Sequence, residues 1–157
     1  MRITGSDHTS FTVSNLQRSL EFYHDLLGFE VIYVRPQITN QYFRAIVDFP
    51  DGVIKGAMLA MPGTDHHLEL FEYVQPRGTP ADVRNNNPGS AHIALLVEDL
   101  VPMVAALKAK GVQFRSPPIY LDEGPNTGGW AVYMLDPDGI TIELFQAPPS
   151  TSTTTST

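Results

Sequence analysis

Two histidines and two glutamates stand at matching places in the two halves of the chain. His8 and His92 each begin a short run of alternating residues, and Glu69 and Glu143 each lie between apolar neighbours later in their half. Neutral imidazoles and carboxylates are good ligands for divalent transition metals. If the four side chains converge, they form a nitrogen and oxygen site with metal positions left open for water or substrate.

The sequence around Glu143 predicts a turn followed by a strand. The turn is Asp136–Gly139, in which Pro presets φ and Gly supplies a positive φ. Alternation then places Ile142 and Leu144 on one face and the carboxylate on the other, beside Phe145. A carboxylate in mid-strand must be solvated, paired or bound to a cation. Solvation would explain one such residue, but the recurrence of the pattern favours a shared role.

The elements that would position these residues also occur twice. A His-led strand, a helix and a glycine (Gly28 or Gly111) recur with nearly the same spacing. The first helix is predicted from apolar residues at helical spacing, which are Leu16, Leu20, Tyr23 and Leu27. A β-rich run at Phe29–Val34 is expected to be broken by Pro36–Asn40. The first half also carries an insertion, which is predicted to form a short helix at Tyr42–Phe49. Each half is predicted to be a β-α-β-β-β module of an α+β fold, in which the modules form a curved, barrel-like mixed sheet with helices outside.

The predicted domain organisation is a single domain, residues 1–149, made of two modules. Module 1 spans 7–74 and module 2 spans 91–147, joined by the polar connector 75–90. Residues 150–157 are only Ser and Thr, a low-complexity tail that is predicted to be disordered.

Composition excludes several classes of function. The 157 residues contain no cysteine, which excludes disulfides and thiolate metal sites, and the net charge of −7 argues against a nucleic-acid partner. The N-terminus shows no apolar signal segment, and no apolar run reaches the length of a membrane span. A cytoplasmic location with no membrane partner is therefore expected.

Several motifs resemble those of the vicinal oxygen chelate superfamily, which contains glyoxalase I, methylmalonyl-CoA epimerase, extradiol dioxygenases and bleomycin-resistance-like proteins. The resemblance rests on the His-led first strand, the Glu-Phe-Tyr helix Ser19–Leu27, the strand Leu68–Phe71, and Asp136–Gly139 followed by Glu143. It covers roughly Asp7 to Pro148. These motifs are specific for the fold and much less specific for the reaction.

The resemblance implies a metal centre, because the family's metal positions fall on His8, Glu69, His92 and Glu143. A divalent ion (Ni, Zn, Co, Mn or Fe) would chelate two neighbouring oxygens of a small-molecule substrate and act as a Lewis acid. In glyoxalase-like members a ligating glutamate serves as the base, so Glu69 and Glu143 are the catalytic candidates. The resemblance also implies a homodimer, and the sequence leaves open whether the ligands come from one chain or two.

The glutamate at position 69 favours a lyase or an isomerase/epimerase that acts on a small oxygenated metabolite. An Fe(II) ring-cleaving, extradiol-type dioxygenase is an alternative, in which Glu69 would be a spectator. A non-catalytic small-molecule or antibiotic-binding protein is another, although the intact ligand set argues against it. Glutathione is a doubtful substrate, because the glyoxalase I positions that bind it fall on Thr12 and Tyr73 here.

The strand faces also predict a substrate pocket. Its candidate residues flank the glutamates and are His67, Phe71, Tyr73 and Phe145. His24 and His66 are expected to lie outside the site. Arg77 and Arg84 in the connector are interpreted as solvated surface charges, with an anionic substrate as the alternative.

Overall fold

The computed structural model describes residues 1–150 and confirms the α+β fold class. The chain divides into two compact units, Met1–Ala81 and a second that begins at Asp82, and each contains one sheet. The predicted module bounds remain predictions, and from residue 151 onward the predicted tail lies outside the described residues. None of the helices in residues 1–150 has the length and apolar character that a membrane crossing requires.

The first unit contains four strands and two short helices. In chain order they are β1 (His8–Thr12), α1 (Leu16–Leu20), β2 (Glu30–Ile38), α2 (Gln41–Ile46), β3 (Val53–Ala60) and β4 (His67–Gln75). The strand order is β1-β4-β3-β2, with β1 parallel to β4 and the remaining neighbours antiparallel. Helix α2 confirms the helical interpretation of the insertion.

Helix α1 runs directly into a π-helical segment, Glu21–Leu26, which changes its buried face. The Leu27 N–H donates to the Phe22 carbonyl at 3.1 Å, five residues back. Because this turn contains an extra residue, the helix rotates relative to a regular α-helix. The predicted apolar stripe is only partly right, since Leu20 and Leu27 are half-buried. The buried residues are Leu16, Ser19, Phe22 and Tyr23.

The prediction that Pro36 ends the preceding strand is wrong. Strand β2 continues to Ile38, with a register shift between Arg35 and Ile38. Among the described residues it pairs with β3 on one side only, which places it at the edge of the sheet. A proline, which has no N–H to donate, is tolerated at a sheet edge or a bulge.

Different helices pack against the two faces of the first sheet. On one face Leu68 and Leu70 are fully buried, and the Tyr23 ring lies 6.4 Å from the Phe11 ring, so the α1 side of the sheet is the apolar core. On the face that carries Glu69, the Phe43 ring of α2 stacks edge-on against Phe71 at 5.3 Å. The alternation in β4 therefore separates a core face from the face that carries Glu69, the candidate functional face, as the sequence predicts.

The second unit repeats the strand arrangement with one additional short strand, and among the described residues it has one helix. Its elements are β5 (His92–Leu96), α3 (Leu100–Ala109), β6 (Gln113–Phe114), β7 (Ile119–Tyr120), β8 (Trp130–Leu135) and β9 (Thr141–Gln146). Strand order is β5-β9-β8-β6, with β7 on β8, and β5 is parallel to β9. The predicted turn before β9 is confirmed, because the Asp136 carboxylate accepts from the Asp138 and Ile140 N–H groups at 2.9 and 2.8 Å and Gly139 has φ 83°.

In both units a side-chain oxygen anchors the start of a helix to the strand that carries the candidate glutamate. Glu72 Oε2 accepts from the Leu16 N–H at 2.8 Å, and Gln146 Oε1 accepts from the Leu100 N–H at 2.9 Å. The first N–H groups of a helix have no partner within the helix, so these acceptors satisfy them. Each anchor lies three residues beyond Glu69 or Glu143, and sequence analysis identified neither.

Replacing Glu72 with Gln is expected to lower the free energy of unfolding by about 1–2 kcal/mol at pH 7, because Gln cannot form the ion pair with Lys55. Burial raises the pKa of Glu72, but the hydrogen bonds from the Leu16 N–H and the Lys55 ammonium outweigh it and hold the pKa below its ordinary value. The charge therefore stabilises the fold above the carboxyl pKa of the unfolded chain, and this stabilisation is lost as pH falls through the folded pKa.

Urea unfolding at pH 7 and pH 3 would test this expectation. The difference between wild type and Glu72→Gln should shrink at pH 3, while the exposed control Glu123→Gln should match wild type at both values. A difference that is independent of pH would show that the charge of Glu72 contributes nothing.

Candidate metal centre

Parallel pairing of β1 with β4 brings His8 to Glu69 in the first unit. His8 lies opposite His67, and Ser10 lies opposite Glu69, so the His8 ring extends over the same face as the carboxylate. His8 Nε2 is 3.4 Å from Glu69 Oε2, and the two side chains are 38% and 16% exposed. The pair is reachable from solvent at the imidazole, whereas the carboxylate is sheltered.

The second unit contains an equivalent pair on β5 and β9. His92 Nε2 is 3.2 Å from Glu143 Oε2. The His92 ring also lies 5.2 Å from the Tyr133 ring, and Tyr133 is the partner of Glu143 across β8 and β9. Two copies of one module thus produce the same nitrogen and oxygen contact from residues far apart in sequence.

The spacing of each pair fits two ligands of one divalent ion. With metal–ligand bonds of about 2.0–2.2 Å, two donors in tetrahedral or octahedral geometry lie about 3–3.5 Å apart. Both His–Glu distances fall within or close to this range. Within residues 1–150 there is no group of three or more His, Cys, Asp or Glu side chains placed to hold a metal ion. Convergence of all four ligands on one cation remains a prediction.

Asp7 orients the His8 imidazole. Its Oδ2 lies 2.7 Å from His8 Nδ1, and this hydrogen bond holds the pKa of Asp7 below its ordinary value. A proton on Nδ1 leaves the Nε2 lone pair directed toward Glu69, which is the arrangement of a metal-binding histidine. Ala91 occupies the corresponding position before His92. The role of Asp7 was not predicted, although its place directly before His8 was a usable signal in the sequence.

The Glu69 carboxylate is partly desolvated. Burial raises the pKa of Glu69 above its ordinary value, and the nearby His8, a hydrogen bond from Ser10 and the charge of Arg35 only partly counteract this. A bound cation would favour the ionised form of such a carboxylate.

The predicted pocket residues lie on the faces that carry the glutamates. His67, Phe71 and Tyr73 are half-buried on the Glu69 face of β4, and Phe145 is half-buried on the Glu143 face of β9. The Tyr73 ring packs against Phe49 at 5.6 Å, and its pKa is raised by burial and by Glu69. Contact of these residues with a substrate remains a prediction.

The other histidines and connector arginines have protein partners of their own. His66 contacts the Ser6 and Thr9 hydroxyls at 3.1 and 2.9 Å, and His24 Nδ1 lies 2.7 Å from the Phe29 carbonyl. Arg84 pairs with Asp82, and the exposed Arg77 lies 4.0 Å from Glu72. His24, His66 and Arg84 therefore have local partners, whereas the exposed Arg77 is too far from Glu72 to contribute much.

Comparison with known proteins gives a family match. The model of the Glyoxalase/Bleomycin resistance protein/Dioxygenase superfamily matches residues 5–144. A 2-epi-5-epi-valiolone epimerase from Actinomyces sp. is 31% identical over 144 residues, which cover 90% of this chain and 78% of that protein. A probable lactoylglutathione lyase from Synechocystis sp. is 30% identical over 141 residues, which cover 88% of this chain and 92% of the relative.

A solved structure shares the fold at lower sequence identity. The glyoxalase family protein from Bacillus cereus has a TM-score of 0.81 to this chain at 18% identity, and the match covers 94% of this chain and 97% of the other. The likeness supports the architecture, whereas the reaction has to be argued from the site.

Proposed function

Because the chain belongs to the Glyoxalase/Bleomycin resistance protein/Dioxygenase superfamily, we propose that it is a divalent-metal-dependent lyase or isomerase/epimerase acting on a small oxygenated metabolite. The observation that carries the proposal is the repeated pair of His Nε2 and Glu Oε2, at 3.4 Å in one unit and 3.2 Å in the other. The names of the two relatives, an epimerase and a lactoylglutathione lyase, support this class of reaction.

In this proposal the metal ligands are His8, Glu69, His92 and Glu143. The ion, when bound, supplies Lewis-acid polarisation of the substrate oxygens. The carboxylate of Glu69 or Glu143 takes the proton from the carbon next to the carbonyl, and the electron pair of the broken C–H bond moves onto the carbonyl oxygen. In an isomerisation the same carboxyl group then returns the proton to the neighbouring carbon, whereas in an epimerisation the other glutamate, in its protonated form, gives a proton to the opposite face of the same carbon. Phe71 and the covering Phe43 provide an apolar surface beside Glu69.

Proton exchange in heavy water tests the proposed reaction. The metal-loaded protein is incubated in D₂O with a panel of α-hydroxycarbonyl compounds, and proton NMR follows deuterium incorporation next to the carbonyl. Exchange should stop when a chelator removes the metal and return when a divalent ion is added. Oxygen consumption with a catechol and Fe(II), without such exchange, would point to the dioxygenase alternative. Tight ligand binding in equilibrium dialysis without metal or turnover would point to a binding protein.

Removing the partner of His8 should weaken metal binding. We expect Asp7→Ala to lower metal affinity about tenfold, because the imidazole loses the hydrogen bond that fixes its tautomer and orientation. The control is Asp65→Ala, which removes the same charge from the turn just before β4. Competition titration with a metal indicator measures both variants. Equal losses in the two variants would mean that only the net charge matters.

A further inference from the structure

Arg35 lies on the functional face of the first sheet. It is opposite Gly56 of β3, and Gly56 is opposite Phe71 of β4. Residues directly opposite each other in antiparallel strands project from the same face. Phe71 is two residues beyond Glu69 on β4 and shares its face. The register therefore places the Arg35 side chain on the face that carries the candidate ligand.

Within residues 1–150 the Arg35 guanidinium has a neutral hydrogen-bond partner and no ion-pair partner, although the Glu69 carboxylate lies near enough to feel its charge. Its Nη2 donates to Asn40 Oδ1 at 2.8 Å, and the residue is half-buried. Across the described residues, no carboxylate oxygen comes within 4.0 Å of this guanidinium, whereas Lys55 and Arg84 each have an acid partner. Sheltering a cation without a direct ion pair is unfavourable, and the Glu69 carboxylate compensates this charge only at longer range. One hydrogen bond also leaves most of the five guanidinium donors for another acceptor.

Apolar groups lie around Gly56, the residue opposite Arg35. Gly56 has no Cβ, and one built there would meet the Phe71 ring and Ile38 Cδ1 at 3.0 Å, so the ring lies over this glycine. Helix α2, which follows Asn40, places Phe43 against the same ring. An apolar surface with a few fixed polar groups is typical of small-molecule sites.

We propose that Arg35 binds a carboxylate of the substrate, which makes the substrate class a small oxygenated carboxylic acid. The single positive charge matches the single negative charge of a carboxylate, and the planar guanidinium can hold both of its oxygens. The bond to Asn40 fixes the guanidinium in place. The identification of the carboxylate as part of a substrate rests on the proposed function, whereas carboxylate binding itself can be measured without turnover.

NMR titration with acetate tests the binding step on the metal-loaded protein. The Arg35 Nε–H signal is assigned by its loss in Arg35→Lys, and the Gly56 amide reports on all variants. Sodium acetate replaces sodium chloride stepwise so that the ionic strength stays constant. A second titration uses inorganic phosphate in place of acetate. We expect acetate to shift these signals saturably in the wild type. The affinity for acetate should be at least about tenfold weaker in Arg35→Gln. It should be partly retained in Arg35→Lys and unchanged in Arg84→Gln.

The outcomes separate this inference from the metal chemistry. Acetate binding at Arg35 should persist in His8→Ala, even when that variant has lost its metal. If the Gly56 shift disappears in His8→Ala but remains in Arg35→Gln, acetate binds at the metal and the inference is wrong. Binding of phosphate but not of acetate would also overturn it. Once a substrate is known, Arg35→Gln should raise KM more than it lowers kcat.

Discussion

Replacing the catalytic base with Gln is expected to slow turnover by about a hundredfold to ten-thousandfold. In the proposed mechanism this base is either Glu69 or Glu143. A Gln side chain keeps an oxygen that can reach the metal, but it cannot accept a proton. The two carboxylates are 16% and 21% exposed, so shelter from solvent alone does not separate them. The base is the residue whose Gln variant keeps its metal and loses deuterium exchange.

The control is Glu123→Gln, which makes the same change at an exposed loop position. It should retain wild-type kcat and metal content. Steady-state kinetics and the D₂O exchange assay are measured in parallel for all three variants. Turnover at the wild-type rate in both Glu69→Gln and Glu143→Gln would rule out either glutamate as the base.

His8→Ala and His92→Ala are each expected to weaken metal binding by about a hundredfold or more. Apparent binding free energies of about 10–16 kcal/mol for four-ligand zinc sites correspond to about 2.5–4 kcal/mol per ligand. The loss in His8→Ala should be at least as large as that in His92→Ala, because both histidines contact a glutamate and only His8 is also oriented by an aspartate, Asp7. Competition with a chelating indicator gives the affinities.

The chain offers two matched histidine controls. His24→Ala removes an imidazole that contacts a backbone carbonyl, and His66→Ala removes one that contacts two hydroxyls. Neither histidine belongs to the predicted ligand set. Both variants should bind metal as wild type does. A loss in His66→Ala as large as that in His8→Ala would mean that the fold of the first unit, rather than ligation, controls the affinity.

The alternation of residue types was sufficient to predict the faces of the strands. Leu68 and Leu70 are buried and Glu69 points away from them, as period 2 requires. The turn at Asp136–Gly139 was predictable for a local reason, because its proline and glycine fix the backbone. These features depend only on neighbours in sequence.

Features that depend on distant neighbours could not be predicted in the same way. Alternation assigns His8 and Glu69 to a face, but it does not show that β1 pairs with β4. Pro36 is tolerated because β2 is an edge strand, and the place of Arg35 on the functional face follows from the register across three strands. These properties arise from tertiary pairing.

Glu72 is a different case, because a local signal was present. It continues the buried series of Leu68 and Leu70, so alternation alone placed it on the core face. A buried carboxylate needs hydrogen-bond partners, and these come from Lys55 and the start of α1. The sequence could suggest that Glu72 is buried but not which groups satisfy it.

The most direct measurement is the metal content of the purified protein, determined with the His8→Ala and Glu143→Ala variants. Each chain supplies one set of four ligands, so the account predicts one divalent ion per chain in the wild type. Both variants should lose this ion. Stoichiometric metal retained in both variants would contradict the assignment of His8 and Glu143 as ligands. Two ions per wild-type chain would contradict a single shared ion.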